Sequence, residues 1–317
     1  MLQEKAEERL FFVMDGRNIV RRSILPTKTG KTMRKETISG AFTGWEWTPA
    51  RSWCWVRTDA AELRDVLRAG PPVADSGLEV LWRTKKKTVL RLKTASGLDL
   101  ACKWCVNIRW MPYGFSWTQA TKEAYKIKRL ARLGLPLVKL VAVGEGRGFF
   151  RIRNCFLATE FADGFLDGRY FFESLSHETA MRDEFTRSNF VLIARLHDAG
   201  LYHGGFTPMN ELWRKLPEPD AEGRQMEIRW IDVARCRRAW GRRLKQRIAE
   251  DLGYFLWHYT LTQEERRGFL RVYLDATKVK RFDFDTLCRA VEDAIAARIR
   301  WEEIKAVRKA QKKAANA

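Results

Sequence analysis

Residues 196–212 read LHDAGLYHGGFTPMNEL, and WIDVA follows at residues 230–234. The chain between them has the pattern of a β-hairpin with the polar tip PEPDAEGRQ, which would return Asp232 to the neighbourhood of Asn210. Each of these two residues alone is an ordinary turn residue, but together they offer an amide oxygen and a carboxylate oxygen. Mg²⁺ prefers oxygen ligands and binds beside phosphate groups in this way. The spacing therefore predicts a magnesium site next to a phosphate.

The loop resembles the catalytic loop of kinases, in which H-R-D-L-x-x-x-N is followed by the Asp of D-F-G. It aligns without gaps from His203 to Asn210, and Asp232 takes the D-F-G position. In kinases the loop Asp accepts the proton of the acceptor hydroxyl, while the Asn and the D-F-G Asp hold metal ions. The loop Asp position is occupied here by Gly205, which can neither accept a proton nor orient a hydroxyl.

Upstream of the loop, alternating patterns predict three strands at residues 78–83, 88–93 and 98–106, which resemble the first strands of a kinase small lobe. Lys103 lies in the third strand, where an ammonium group is costly among apolar neighbours. Glu123 lies near the start of the next predicted helix. Kinases join such a lysine and glutamate in an ion pair that orients the lysine on the nucleotide phosphates. A solvent-facing lysine and a helix-start glutamate are the plain alternative.

The first hairpin carries Lys85, Lys86 and Lys87 where a kinase would carry a glycine-rich phosphate loop. We hypothesise that these lysines cover the nucleotide phosphates by charge. A solvated turn accounts for them at least equally well.

The whole chain has 59 Lys+Arg and 39 Asp+Glu residues, a net charge of +20, which favours an anionic partner. Nucleic acid is the less favoured partner because no RNA- or DNA-binding motif accompanies the charge. With no apolar run long enough to span a membrane and no signal pattern at its start, the sequence predicts a cytoplasmic protein. The basic helix predicted at residues 289–317 could lie on an anionic inner-membrane surface, or it could be a solvated terminus.

The six cysteines are scattered, as is usual for a reducing compartment. Cys102 and Cys105 form a C-x-x-C motif, but they lie in a predicted strand, where residues three apart point to opposite faces. We therefore prefer two packed thiols to a zinc or redox site.

Several segments together resemble the lipopolysaccharide core kinases of Gram-negative bacteria, the Kdo and heptose kinases. The segments are KEAYKIKRLARLGLPLVKLVAVGE, LIARLHDAGLYHGGFTPMNELW, IRWIDVAR and DLGYFLWHYTLTQEERRGFLRVYL. The resemblance implies an α+β, bilobal protein-kinase-like fold with a β-rich small lobe at residues 76–162 and a helical large lobe at residues 163–288. Residues 1–75 would be an N-terminal extension of uncertain structure, and residues 289–317 the basic C-terminal helix.

The same resemblance implies that Lys103 contacts the ATP phosphates and that Glu123 is its ion-pair partner. Asn210 and Asp232 would hold Mg²⁺, and His203 would be a structural member of the loop. The acceptor would be an inner-core sugar of lipopolysaccharide, or another anionic glycolipid, at the cytoplasmic face of the inner membrane.

Gly205 leaves two functions open. General-base assistance contributes about 10² to 10⁴ in rate, whereas positioning and metal electrostatics do most of the catalysis of phosphoryl transfer. One reading is therefore a sugar kinase of slow or unusual mechanism. The other is an inactive, nucleotide-binding pseudokinase that regulates or scaffolds envelope biosynthesis. Asp198 and Glu211 are close to the loop in sequence, but we expect neither to replace the missing carboxylate.

Overall fold

A computed structural model describes residues 11–15, 18–22, 46–47, 53–60, 63, 79–84, 87–94, 96–106, 118–147 and 152–314. Lys85 and Lys86 of the predicted phosphate-covering lysines lie outside these residues. The chain divides into two compact units. The first comprises Met1–Lys128 and Lys139–Phe161, and the second comprises Arg129–Val138 and Ala162–Ala317.

The first unit is rich in β-structure. Its strands are β1 (Phe11–Asp15), β2 (Asn18–Arg22), β3 (Glu46–Trp47), β4 (Trp53–Val56), β5 (Glu79–Arg83), β6 (Lys87–Lys93), β7 (Asp99–Val106), β8 (Leu140–Arg147) and β9 (Ile152–Glu160). β1 and β2 form a hairpin of their own, and the other seven strands form an antiparallel sheet in the order β3-β4-β8-β9-β7-β6-β5. Helix α1 (Gln119–Ala131) stands between β7 and β8 in the chain.

The inner strand β7 shows why the sheet buries one of its faces. Leu100, Cys102 and Trp104 alternate along it and are all buried, and the Trp104 ring stacks on Phe156 of the neighbouring strand with centroids 5.1 Å apart. Lys103 lies between Cys102 and Trp104 in the sequence and is only partly buried. Because successive side chains of a strand point to opposite faces, Lys103 lies on the face away from this core.

The second unit is largely helical. Its helices are α2 (Gly168–Ser174), α3 (Thr179–Asp198), α4 (Gly241–Trp257), α5 (Gln263–Ala276) and α6 (Phe284–Ala314). Short strands separate α3 from α4: β11 (Leu201–Tyr202), β12 (Glu211–Lys215), β13 (Met226–Trp230) and β14 (Arg237–Arg238), while β10 (Leu166–Asp167) pairs with β12. A β-rich unit and a helical unit confirm the predicted α+β class.

Helix α4 is the buried helix of the second unit. Leu244, Ile248, Leu252 and Phe255 recur at helical spacing and are all at most 4% exposed. Each such side chain removed from water contributes about 1.5–3 kcal/mol to folding. The helix therefore gives the strands and loops before it a rigid support.

The C-terminal helix begins earlier than residue 289, where the sequence pattern placed its start. Asp283 accepts the backbone N–H of Thr286 at 2.8 Å at the start of α6, and Leu287 and Val291 are fully buried. The predicted division into four segments, 1–75, 76–162, 163–288 and 289–317, stays a prediction. Among the helices in the described part of the chain, none is both long enough and apolar enough to cross a membrane.

Candidate functional site

Lys103 and Glu123 form an ion pair in the first unit. Lys103 Nζ lies 2.7 Å from one carboxylate oxygen of Glu123 and 3.0 Å from the other. Glu123 is only 2% exposed, so its charge requires a partner within the protein. The structure thus brings together the two residues that the sequence assigned to nucleotide contact.

The position of Glu123 depends on how helix α1 starts. The buried carboxylate of Glu145 on β8 accepts the backbone N–H of Thr118 at 3.0 Å and the hydroxyl of Thr121. These bonds satisfy polar groups at the helix start and join it to the sheet that carries Lys103. Sequence reasoning missed Glu145, because its threonine partners are more than twenty residues away.

In the second unit, the loop that follows β11 is held by helix α4. Asp251, which is 3% exposed, accepts the backbone N–H groups of both His203 and Gly204. The His203 ring is buried and lies against Phe206, with centroids 5.1 Å apart. Asp251 is a second organising residue that the sequence did not reveal.

Asn210 and Asp232 lie at the two ends of the hairpin formed by β12 and β13. Glu211 pairs with Trp230 in this hairpin, and Ile231 donates its backbone N–H to the carbonyl of Asn210 at 2.9 Å. The hairpin therefore places Asn210 beside Ile231, the residue that precedes Asp232. This is the return of the chain that the sequence pattern predicted.

The backbone at Asp232 is unusual. With φ 52° and ψ 41° it is left-handed, and Asp232 is the one non-glycine residue with positive φ in the part of the chain that the structure describes. A left-handed conformation costs a residue with a Cβ about 1–2 kcal/mol. Such strain tends to persist at functional positions.

A family model described as "Lipopolysaccharide kinase (Kdo/WaaP) family" matches residues 108–273, more than half of the chain. The chain belongs to the lipopolysaccharide kinase (Kdo/WaaP) family. This range includes Glu123, the loop at His203, Asn210 and Asp232.

Two solved structures are similar to this member of the Kdo/WaaP family. "WaaP in complex with acyl carrier protein" has a TM-score of 0.51 and 21% sequence identity, and the match covers 73% of this chain and 88% of that one. The Rio2 kinase complex with ADP/Mg²⁺-phosphoaspartate from Chaetomium thermophilum has a TM-score of 0.39 and 16% identity, over 73% and 71% of the two chains. A comparison with curated proteins gives no match. The likeness to WaaP confirms the predicted kinase-like fold.

The donor set of this Kdo/WaaP family chain fits a magnesium ion. Asn210 uses its amide nitrogen to donate to the carbonyl of Gly205 at 3.0 Å, so its amide oxygen takes no part in that bond. Asp232 adds a carboxylate. Among the described residues there is no cluster of three or more His, Cys, Asp or Glu side chains that could hold a metal. Mg²⁺ is commonly bound by one or two protein oxygens with phosphates and waters completing its shell, so two oxygens are sufficient.

Gly205 is where the chain departs from the loop pattern of its family. Its φ of +149° is one that residues with side chains rarely adopt, and a Cβ placed there would lie 3.2 Å from Nη1 of Arg235. Both the backbone and the neighbouring guanidinium therefore suit glycine. Replacement by aspartate would strain this backbone.

Two nearby acids are engaged elsewhere. Asp198 accepts hydrogen bonds from the Thr277 hydroxyl and the Lys278 backbone, and it pairs with Arg281. Glu211 is fully buried, and its burial raises the pKa of the carboxyl well above its usual range. Neither carboxyl group is therefore placed to accept the proton of an acceptor hydroxyl in place of the carboxylate missing at Gly205.

Of the three hairpin lysines, Lys87 is the one described. It starts β6, and its Nζ lies 5.5 Å from the centre of the Trp82 ring. Whether Lys85, Lys86 and Lys87 cover nucleotide phosphates stays a prediction.

The C-x-x-C cysteines are both free thiols on opposite faces of β7, and only Cys102 is buried in the core. Burial raises the pKa of Cys102 to about 12. Cys105 stands opposite Cys155 on β9, and the hydrogen bond between their thiols lowers the pKa of Cys105 to about 7. The two cysteines of the motif thus have different surroundings.

Proposed function

We propose that this chain is an ATP-dependent lipopolysaccharide inner-core sugar kinase-like protein, a phosphotransferase of slow or unusual mechanism. The observation that carries the proposal is the Lys103–Glu123 ion pair in a member of the Kdo/WaaP family. Kinases use such a pair to hold the lysine ready for the nucleotide phosphates. A buried glutamate with no role beyond folding would more simply be an apolar residue.

Each residue has a distinct task in this proposal. Lys103, oriented by Glu123, contacts the phosphates of the nucleotide. Asn210 and Asp232 hold Mg²⁺, and His203, which is buried, shapes the loop that leads to Asn210. Mg·ATP, when bound, supplies the phosphoryl group and neutralises charge that develops on it. Lys85 to Lys87 stand outside this core set and are supporting residues in the proposal.

The slow or unusual mechanism follows from Gly205. No side chain at that position takes the proton from the acceptor hydroxyl, and Asp198 and Glu211 are bound or buried. The missing assistance corresponds to about 10² to 10⁴ in rate. Positioning by the remaining residues still supports transfer, because the transition state of phosphoryl transfer is loose.

A second function is favoured by the same glycine. A chain that binds nucleotide without transferring phosphate would act as a pseudokinase, regulating or scaffolding envelope biosynthesis. The guanidinium of Arg235 beside Gly205 supports this alternative, since it puts a cation where a kinase has its carboxylate.

The partner in this proposal is the lipopolysaccharide core or another anionic glycolipid, met at the inner-membrane surface from the cytoplasmic side. The net charge of +20 supports an anionic partner. The solved WaaP structure holds acyl carrier protein, so a carrier protein of that kind is a further candidate partner, to be tested by copurification.

The deciding experiment measures ATP consumption with and without core oligosaccharide. We expect slow turnover by the wild-type chain that requires oligosaccharide and disappears in Asp232→Ala. Asp293→Ala, which removes an exposed carboxylate from α6, is the matched control and should retain turnover. Absence of turnover in the wild-type chain under all acceptors would favour the pseudokinase function.

Nucleotide binding is tested separately by thermal unfolding. Mg·ATP should raise the Tm of the wild-type chain and of Lys93→Met, an exposed lysine at the end of β6. The increase should be much smaller for Lys103→Met. If Mg·ATP leaves the wild-type Tm unchanged, both the kinase and the pseudokinase functions fail.

A further inference from the structure

Arg235 is placed against the loop at Gly205 by both its backbone and its side chain. It ends the short helical turn Val233–Arg235 that directly follows Asp232. A Cβ on Gly204 would stand 3.4 Å from the Arg235 carbonyl oxygen, and one on Gly205 would stand 3.2 Å from its Nη1 and 3.6 Å from its Cδ. The guanidinium therefore lies over the position from which a kinase loop extends its carboxylate.

The guanidinium has no carboxylate partner among the residues that the structure describes, and it is exposed. Several other arginines of the second unit do have a carboxylate partner. Arg214 and Arg229 both pair with Glu227, and Arg247 pairs with Glu250. An exposed guanidinium keeps its planar set of donors for a ligand, and this set matches the oxygens of a phosphate or carboxylate.

The surroundings of Arg235 reinforce its charge. Arg237 and Arg238 follow on β14 and are exposed, and Asp232 is the nearest acid along the chain. In the proposed function Asp232 binds a metal cation, so its charge would be compensated there. An anion that approaches the loop at Gly205 thus meets a cationic surface.

We propose that Arg235 forms an oxyanion-binding subsite at Gly205, which receives a phosphate or carboxylate group carried by the acceptor. This rests on the proposed function, because the kinase loop defines where the acceptor lies. It narrows the substrate class to sugars that already bear an acidic group close to the hydroxyl that is phosphorylated. Gly205 is part of the subsite, since a side chain there would meet the guanidinium.

The experiment uses the full chain and measures binding of inorganic phosphate by calorimetry in the absence of nucleotide. We expect Arg235→Gln to weaken binding about tenfold or more, as expected for the loss of a charge-assisted contact. Arg235→Lys keeps the charge but not the planar donors, so its phosphate affinity should lie between those of the wild type and Arg235→Gln. Arg238→Gln is the matched control, because it removes an exposed arginine from the same cationic surface, and it should bind phosphate nearly as the wild type does.

Three outcomes distinguish an acceptor subsite from a nucleotide contact and from a general charge effect. Phosphate binding that persists with Mg·ATP present supports an acceptor subsite. Competition between phosphate and Mg·ATP, together with weaker Mg·ATP binding by Arg235→Gln, would assign the guanidinium to the nucleotide and overturn the proposal. Equal weakening in Arg235→Gln and Arg238→Gln would show a general charge effect and also overturn it.

The failure of the proposed function can be distinguished from the failure of the subsite. A wild-type chain that binds phosphate through Arg235 but does not respond to Mg·ATP would remove the function and leave the oxyanion subsite.

A second readout compares core oligosaccharide before and after removal of its phosphate groups. The wild-type chain should prefer the phosphorylated form by about tenfold, and Arg235→Gln should lose this preference.

Discussion

The Asp251 carboxylate accepts the backbone N–H of Gly204 at 2.9 Å, across 47 residues of sequence. The same carboxylate accepts the N–H of His203. Because Asp251 belongs to the buried helix α4, the loop that carries Gly205 is fixed to the core of the second unit. A loop held in this way keeps its shape before any ligand arrives.

Asp251→Ala should lower the free energy of unfolding by roughly 3 kcal/mol, because it leaves two backbone N–H groups without their acceptor, at about 1–3 kcal/mol each. Urea unfolding measures this loss. Asp293→Ala, at an exposed position of α6, should change stability by less than about 0.5 kcal/mol. Equal stability of Asp251→Ala and the wild type would mean that the loop does not depend on this anchor.

Lys103 and Glu123 should be energetically coupled. Lys103→Met removes the ammonium group that pairs with the buried carboxylate of Glu123, which costs roughly 3 kcal/mol. The double variant with Glu123→Gln should cost clearly less than the two single changes together. A double-mutant cycle from urea unfolding gives the coupling. The matched control is the exposed pair of Lys215 and Glu178, for which about 0–1 kcal/mol is expected. Additive effects at Lys103 and Glu123 would contradict the prediction.

Glu211 should make the protein less stable as pH rises. Its pKa in the folded chain is raised well above 4.5 by burial, so the unfolded chain releases the proton at a lower pH than the folded chain does. The stabilisation is complete well below the ordinary pKa of 4.5 and is lost progressively as pH rises toward the pKa of the folded chain. Urea unfolding between pH 4.5 and about pH 8 should show this decline relative to Glu211→Gln.

Glu222→Gln is the control for this pH series, because Glu222 is exposed at the hairpin tip. Its stability should follow the pH dependence of the wild type. Parallel curves for Glu211→Gln and the wild type would show that the buried carboxyl does not control the pH response.

Asp232 should show a conflict between stability and function. Asp232→Gly and Asp232→Ala both remove the carboxylate and its contacts, but only glycine adopts the left-handed backbone at that position without strain. Asp232→Gly should therefore be more stable than Asp232→Ala by about 1 kcal/mol, and neither should retain ATP turnover. Thermal unfolding of the two variants side by side tests the backbone argument, and a higher Tm for the alanine variant would refute it.

The sequence by itself determined the local elements and the residue types of the site. Strands β5 to β7 begin and end within about one residue of their predicted bounds, because alternation between apolar and polar residues is a property of each strand alone. The hairpin pattern predicted that the chain returns to Asn210, and Ile231, the residue before Asp232, does lie beside it. The family followed from several such motifs in the correct order, and the match over residues 108–273 confirms it.

Only the tertiary structure decided what surrounds those motifs. The contacts of Asp251 with Gly204 and of Glu145 with Thr118 join residues that are far apart in the chain, so no local pattern such as a helix cap marks these two carboxylates as backbone acceptors. The sequence showed that Gly205 lacks a carboxylate, but not that Arg235 lies over it. The course of a long side chain depends on the packing of the whole unit, so the motif spacing that identified the loop could not place this guanidinium.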